Sequence, residues 1–150
     1  MDYTFEVKPG FLFVRMGGEF NIDDAKAVFI HTLEACYDHG LAKVFFDCRD
    51  VILNRDVDRV KYYRWASAQY RQYLATEHKP LKLAHLVGDR CKSLDNFGQF
   101  VARKYGLDSI TTTSYAEAFD FLSIFDATIF SSSLYETLFA QLLIRGHIAL

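Results

Sequence analysis

Apolar and polar positions alternate from Tyr3 to Lys8 and again from Phe11 to Met16, with the turn dipeptide Pro9-Gly10 between them, a pattern that predicts a β-hairpin. Gly17-Gly18 is expected to end the second strand. Asn21 then reads as an N-cap, followed by Asp23 and Asp24 where carboxylates favour the positive end of a helix dipole. Ile22, Ala25, Phe29, Leu33 and Cys36 recur at three- or four-residue spacing and so predict one apolar helix face. Gly40 stands where a left-handed terminator belongs.

The next stretch, Lys-Val-Phe-Phe-Asp-Cys-Arg-Asp from Lys43 to Asp50, organises the rest. The continuous apolar run Val44, Phe45 and Phe46 predicts an interior parallel strand covered on both faces, with Asp47, Cys48, Arg49 and Asp50 at its carboxyl end and a loop over 51–55. Asp56 can cap a long helix reaching to about Glu77, before Lys79-Pro80. On that helix Val60, Tyr63, Ser67, Tyr70 and Leu74 form one stripe, while Arg59, Tyr62, Trp65 and Arg71 are expected on a different, aromatic and basic face.

Leu81 to Val87 reads as a further interior strand, turning out through Gly88-Asp89-Arg90. Ser93 or Asp95 can cap a helix carrying Phe97, Phe100, Val101 and Tyr105 and closed by Gly106. Ser109 to Thr113 is β-branched and short, and Ser114 with Glu117 reads as a capping box opening a helix from Tyr115 to Leu122. Ser131-Ser132-Ser133 then opens an amphipathic helix whose Leu134, Leu138, Leu142 and Leu143 lead to Gly146. This order predicts an α/β fold, with a mostly parallel sheet of four to five strands opened by a hairpin and linked by right-handed crossovers. The expected division is one domain over 1–125 and a helical extension over 126–150, part of the same globule or a dimer interface.

Composition narrows the function classes. A chain of 150 residues has the size of one domain, and its formal net charge of −2 argues against the broad positive field of non-specific nucleic-acid binding. Cys36, Cys48 and Cys91 are odd in number and without ligand spacing, and His31, His39, His78, His85 and His147 share no such spacing either. No metal, cofactor or disulfide is therefore expected. The start Met-Asp-Tyr-Thr-Phe-Glu lacks the pattern of a signal peptide and no run of about 18 apolar residues occurs, so the expected setting is the cytoplasm, without a membrane span.

Asp47, Cys48, Asp89, Arg90 and Cys91 are placed at the carboxyl ends of two strands, where a cleft can form. For Asp47 the structural role, pairing with Arg49 or capping a loop, outweighs general acid–base work, and Cys48 reads as a buried inert thiol more than as a nucleophile. A hydrolase using Asp47 or Cys48 is the weakest of three readings. Arg59, Lys61, Tyr62, Arg64, Trp65, Tyr70, Arg71 and Tyr73 combine residue types favoured at protein interfaces, and protein contact is preferred over nucleic acid for them. Gly17-Gly18 is not followed by a phosphate-loop motif.

Phe-Phe-Asp-Cys-Arg-Asp-Val after the first helix, Leu-Ala-His-Leu-Val in the next strand and Thr-Thr-Thr-Ser-Tyr-Ala-Glu-Ala-Phe-Asp-Phe-Leu further on resemble the SpoIIAA-like group, related in fold to the STAS domains of anti-sigma factor antagonists. In those domains an Asp-Ser-Ser-Gly-like phosphoacceptor motif follows the central strand. Here the region is Leu53-Asn54-Arg55-Asp56-Val57-Asp58, with no hydroxyl before Tyr62. The resemblance thus implies a non-enzymatic binding or regulatory module without the phosphoacceptor serine. The surface expected from the strand's carboxyl end and from the anchor-type residues of the following helix comprises Asp47, Arg49, Asp56, Asp58, Arg59, Arg64 and Trp65, with a protein as partner, and the four-residue spacing of Leu134, Leu138 and Leu142 predicts a stripe that forms a homodimer. The alternative implied by lipid-carrier relatives of the group is a carrier of a small apolar ligand.

Overall fold

The structure, a computed structural model, describes residues 1–53, 56–76, 78–89, 102–104 and 106–124, with residues 56–59 described by their backbone alone. The elements are β1 (Asp2–Lys8), β2 (Phe11–Glu19), α1 (Ile22–His39), β3 (Lys43–Ile52), α2 (Asp56–Ala75), β4 (Lys82–Val87), β5 (Asp108–Thr112) and α3 (Tyr115–Leu122). Five strands form one sheet in the order β1-β2-β3-β4-β5, with β1 antiparallel to β2 and all other pairs parallel. The Lys43-to-Asp50 stretch therefore supplies the middle strand.

Strands added in chain order by crossovers of one hand put their connecting helices on one face. In agreement, α1 and α2 touch each other and share a core with Leu12, Val14, Val44, Phe46, Cys48, Leu83 and Val87. The alternate residues of the same strands, Phe11, Phe13, Phe45, Ala84, Leu86 and Ile110, point to the opposite face and are covered by Ala116, Ala118, Phe119 and Leu122 of α3. Val44 and Phe45 are both fully buried, which explains why the run shows no alternation. With only 8 residues, α3 covers part of its face, and Arg15 on β2 and Arg49 on β3 lie exposed beyond it.

The helix ends follow the sequence chemistry. Asn21 Oδ1 accepts from the Asp24 amide at 3.0 Å, and Gly40 closes α1 at φ +63°, with the Leu41 amide donating to the Cys36 carbonyl. Gly106, at φ +85°, sits between an Arg103 carbonyl accepting from its own amide and an Ala102 carbonyl accepting from Leu107, the bond pair of a Schellman motif, so it terminates a helix as expected. The rest of that expected helix, with Ser93, Asp95, Phe97, Phe100, Val101 and Tyr105, lies outside the described residues, as do Arg90, Cys91 and the tail bearing Leu134, Leu138, Leu142 and Leu143. Among the described residues no helix is long and apolar enough to cross a membrane.

Three expectations change. Gly17-Gly18 does not end β2: the strand shifts register between Arg15 and Gly17, then continues alongside β3 with Gly17, Gly18 and Glu19 opposite Asp50, Val51 and Ile52. Gly17 tolerates the close approach, since a Cβ there would lie 3.3 Å from that of Asp50, and Gly18 adopts φ +89°, a conformation side chains disfavour. For the same reason β3 extends to Ile52, so Asp47 to Asp50 lie within the strand and the loop is shorter than 51–55. The capping box is also rearranged: Ser114 Oγ accepts from the Glu117 amide, but the Glu117 carboxylate takes the Thr112 hydroxyl at 2.8 Å, and that hydroxyl oxygen accepts from the Ser114 amide at 3.1 Å.

Candidate functional site

Asp47 and Arg49 are two residues apart in β3 and share the face covered by α3. The Arg49 guanidinium donates to both carboxylate oxygens, from Nε at 2.9 Å and from Nη2 at 2.8 Å, and its amide adds a third bond at 3.3 Å. Arg15, opposite Asp47 on β2, brings its Nε to 3.6 Å from the same carboxylate. The Asp47 side chain is only 5% exposed, whereas those of Arg15 and Arg49 are 55% and 42% exposed. One buried carboxylate therefore fixes two guanidinium groups that face solvent.

Aromatic rings hold the same groups from below. Arg15 lies over Phe13 at 5.5 Å and Arg49 over Tyr115 at 4.8 Å, while Tyr115 stacks on Phe45 at 6.2 Å and 15°. Such cation–π contacts fix guanidinium planes without neutralising them. Burial pushes the Asp47 carboxyl up, but the hydrogen bonds and charge of Arg49, with the charge of Arg15, outweigh it and hold the group below the ordinary carboxylate range. The bonds to Asp47 raise Arg49 in turn, and burial raises the Tyr115 phenol. A carboxylate so occupied is a poor general base. Cys48 points to the other face, into the core under α1 and α2, so the two residues of the hydrolase reading do not share a site.

Of the remaining residues of the expected surface, the described Arg64 and Trp65 lie away from this pair. Asp56, Asp58 and Arg59 belong to the first turn of α2, and their side chains lie outside the described residues. Arg64 is exposed on α2. Trp65, expected to be exposed beside it, is half-buried instead: its ring meets Phe29 of α1 at 6.1 Å, and Lys26 Nζ lies 5.4 Å from the ring centroid. Tyr62, expected on the same aromatic and basic face, packs edge-on to Phe20 and Phe29, and burial raises its phenol well above the ordinary tyrosine range. The reason is the direct packing of α2 on α1, which turns the aromatic flank inward. Arg64 and Trp65 of α2 thus lie across the sheet from Asp47 and Arg49.

Arg15, Phe13 and Tyr115 were not singled out by the sequence. The signal was nonetheless present, because Phe11-x-Phe13-x-Arg15 and Phe45-x-Asp47-x-Arg49 carry the same switch from apolar to charged at period two on neighbouring strands.

On the helix-covered face, at the carboxyl ends of the strands, a cavity of about 80 Å³ opens between the sheet and the helices. Met16, Phe46, Cys48, Val51 and Val87 supply its sheet wall, Ala25, Val28, Tyr62 and Tyr63 its helix wall, and His85 and Thr111 its far end. His85 lies flat on Phe46, ring centroids 4.7 Å apart and planes 5° from parallel, and its Nδ1 is 3.4 Å from the Ser109 hydroxyl.

No family model and no curated protein sequence matches this chain. Among solved structures, the anti-sigma factor antagonist SpoIIAA in its unphosphorylated form is similar, with a TM-score of 0.51 at 10% identity over 83% of this chain and 100% of that one. At that identity the likeness is one of backbone, and the fold of this chain is SpoIIAA-like.

Proposed function

We propose that this chain is a non-enzymatic binding module that meets a protein partner through the Arg15, Asp47, Arg49 and Tyr115 patch, and that it works without a phosphoacceptor serine. The observation that carries this reading is the fixing of two half-exposed arginines by one buried aspartate: the donors are oriented in advance, so little side-chain entropy is lost when they meet carbonyl or carboxylate groups of a partner. The similar solved structure is that of a protein that antagonises an anti-sigma factor, which supports a protein as the partner. Residues 53–61 contain neither serine nor threonine, which supports a mode of control other than serine phosphorylation there.

In this reading the module acts as a cytoplasmic homodimer. Three cysteines, an odd number with no close pair in the sequence, support the compartment, and the stripe Leu134, Leu138 and Leu142 supports self-association. The test is affinity capture with the parent, with Arg15→Glu and with Arg49→Ala, each followed by reconstitution with the purified partner. Arg15→Glu reverses an exposed charge and leaves the core intact, so a folded variant that loses the partner at least tenfold supports the reading. Equal recovery by parent and both variants overturns it.

A further inference from the structure

The cavity on the helix-covered face is separated from the arginine patch by the sheet, and its chemistry points to a different kind of occupant. Its described lining contains no aspartate, glutamate, lysine or arginine. The formal charge at the described lining is that of the Met1 ammonium, which is already paired with Asp24 at 2.9 Å, so an ion placed there would lose its hydration without a free countercharge, which disfavours charged ligands. The volume of about 80 Å³ is far too small for an acyl chain, and about half of the roughly 150 Å³ that accommodates benzene in an engineered apolar cavity. Because this cavity opens to solvent, a ring can seat with one edge outward.

The walls also select among small apolar molecules. The stacked Phe46–His85 pair and Tyr62 present ring faces and edges, and Met16 and Cys48 present sulfur, whose contacts with aromatic rings are favourable. Ala25 on α1 and Cys48 on β3 are the smallest side chains of the described lining. From this lining and volume we infer that the cavity between the sheet and helices α1 and α2 is a binding site for a small uncharged aromatic molecule, one ring with few substituents. This site is independent of the protein-binding patch.

Toluene is the probe and benzoate its charged counterpart, each titrated into the full chain while backbone amide NMR shifts are followed. Toluene is expected to shift the amides of Phe46, Cys48 and Tyr62 in a saturable manner, and benzoate to leave them in place. Ala25→Leu, which puts three more carbons into the space, is expected to weaken toluene at least tenfold. Cys48→Met fills it from the sheet side and gives the same comparison should the helix variant not fold. Absence of saturable shifts in the parent, equal binding of benzoate, or toluene affinity unchanged in the folded filled variants would overturn the site.

Discussion

Arg49 lies two residues beyond Asp47 in one strand and closes on its carboxylate with two bonds of 2.9 and 2.8 Å, so the strand carries a self-contained ion pair on its own pleat. Asp47→Asn keeps the shape but removes the charge that the pair is built on. Hydrogen bonds to charged groups contribute about 1.5–3 kcal/mol, and the 42% exposure of Arg49 places the expected loss near the lower bound at pH 7. The folded carboxyl titrates below the ordinary value of about 3.9, so its stabilisation is complete above that pH and is lost as pH falls through the folded value. Urea unfolding of parent and variant should show a stability gap at pH 7 that narrows on acidification; a gap that is constant or widens contradicts the arrangement.

Tyr70 is 1% exposed and its hydroxyl accepts the buried amide of Leu81 at 3.0 Å. Tyr70→Phe leaves that amide without its acceptor, at a cost of about 1–3 kcal/mol. Hydrogen exchange at Leu81 should accelerate along with the drop in urea midpoint, and unchanged protection would mean that the bond contributes nothing.

Trp65 and Arg64 are chain neighbours with different surroundings. Trp65→Ala removes the contacts with Phe29 and Lys26 and is expected to lower stability by about 2 kcal/mol, below the 3–5 kcal/mol of a fully buried ring because Trp65 is half-buried. Arg64→Ala, at an exposed helix position, should stay within about 0.5 kcal/mol of the parent. Thermal melts that rank the two the other way would return Trp65 to the surface.

Phe45 is fully buried at the middle of the sheet, against Phe13 at 5.6 Å and Phe119 at 5.4 Å. Phe45→Asp would bury an unpaired charge there and is expected to abolish folding, since the penalty of several kcal/mol consumes most of a domain's stability. A cooperative melt at the parental temperature would be incompatible with this strand's central place.

Local chemistry made much of the fold legible. Pro9-Gly10, Asn21, Gly40, Gly106 and Ser114 mark chain reversals through requirements each residue meets by itself, and Val44 to Phe46 announces a strand without reference to its neighbours. What the sequence hid depends on partners distant in the chain. Gly17-Gly18 reads as a breaker until β3 is alongside, because only a neighbouring strand turns backbone freedom into a bulge. Trp65 reads as exposed because helix periodicity assigns angles around an axis and says nothing of what covers each angle; α1 covers its flank. The arginine patch needed the pairing of Arg15 with Asp47 across strands, a register that neither strand encodes alone.

The agreement between strand order and chain order has a consequence for biosynthesis. Each strand hydrogen-bonds to the strand that immediately precedes it, so a chain leaving the ribosome amino end first never has to hold an edge open for a segment still to be made. Sheet growth is one-directional, each loop closed is that of a single crossover, and the entropy of ring closure grows only slowly with such lengths. The exception is α3, which packs on β4 and β5 and also reaches back to β3. Until it docks, Phe11, Phe13 and Phe45 face water together, and a nascent chain halted before Tyr115 would expose that apolar sheet face to chaperones and to other copies of itself.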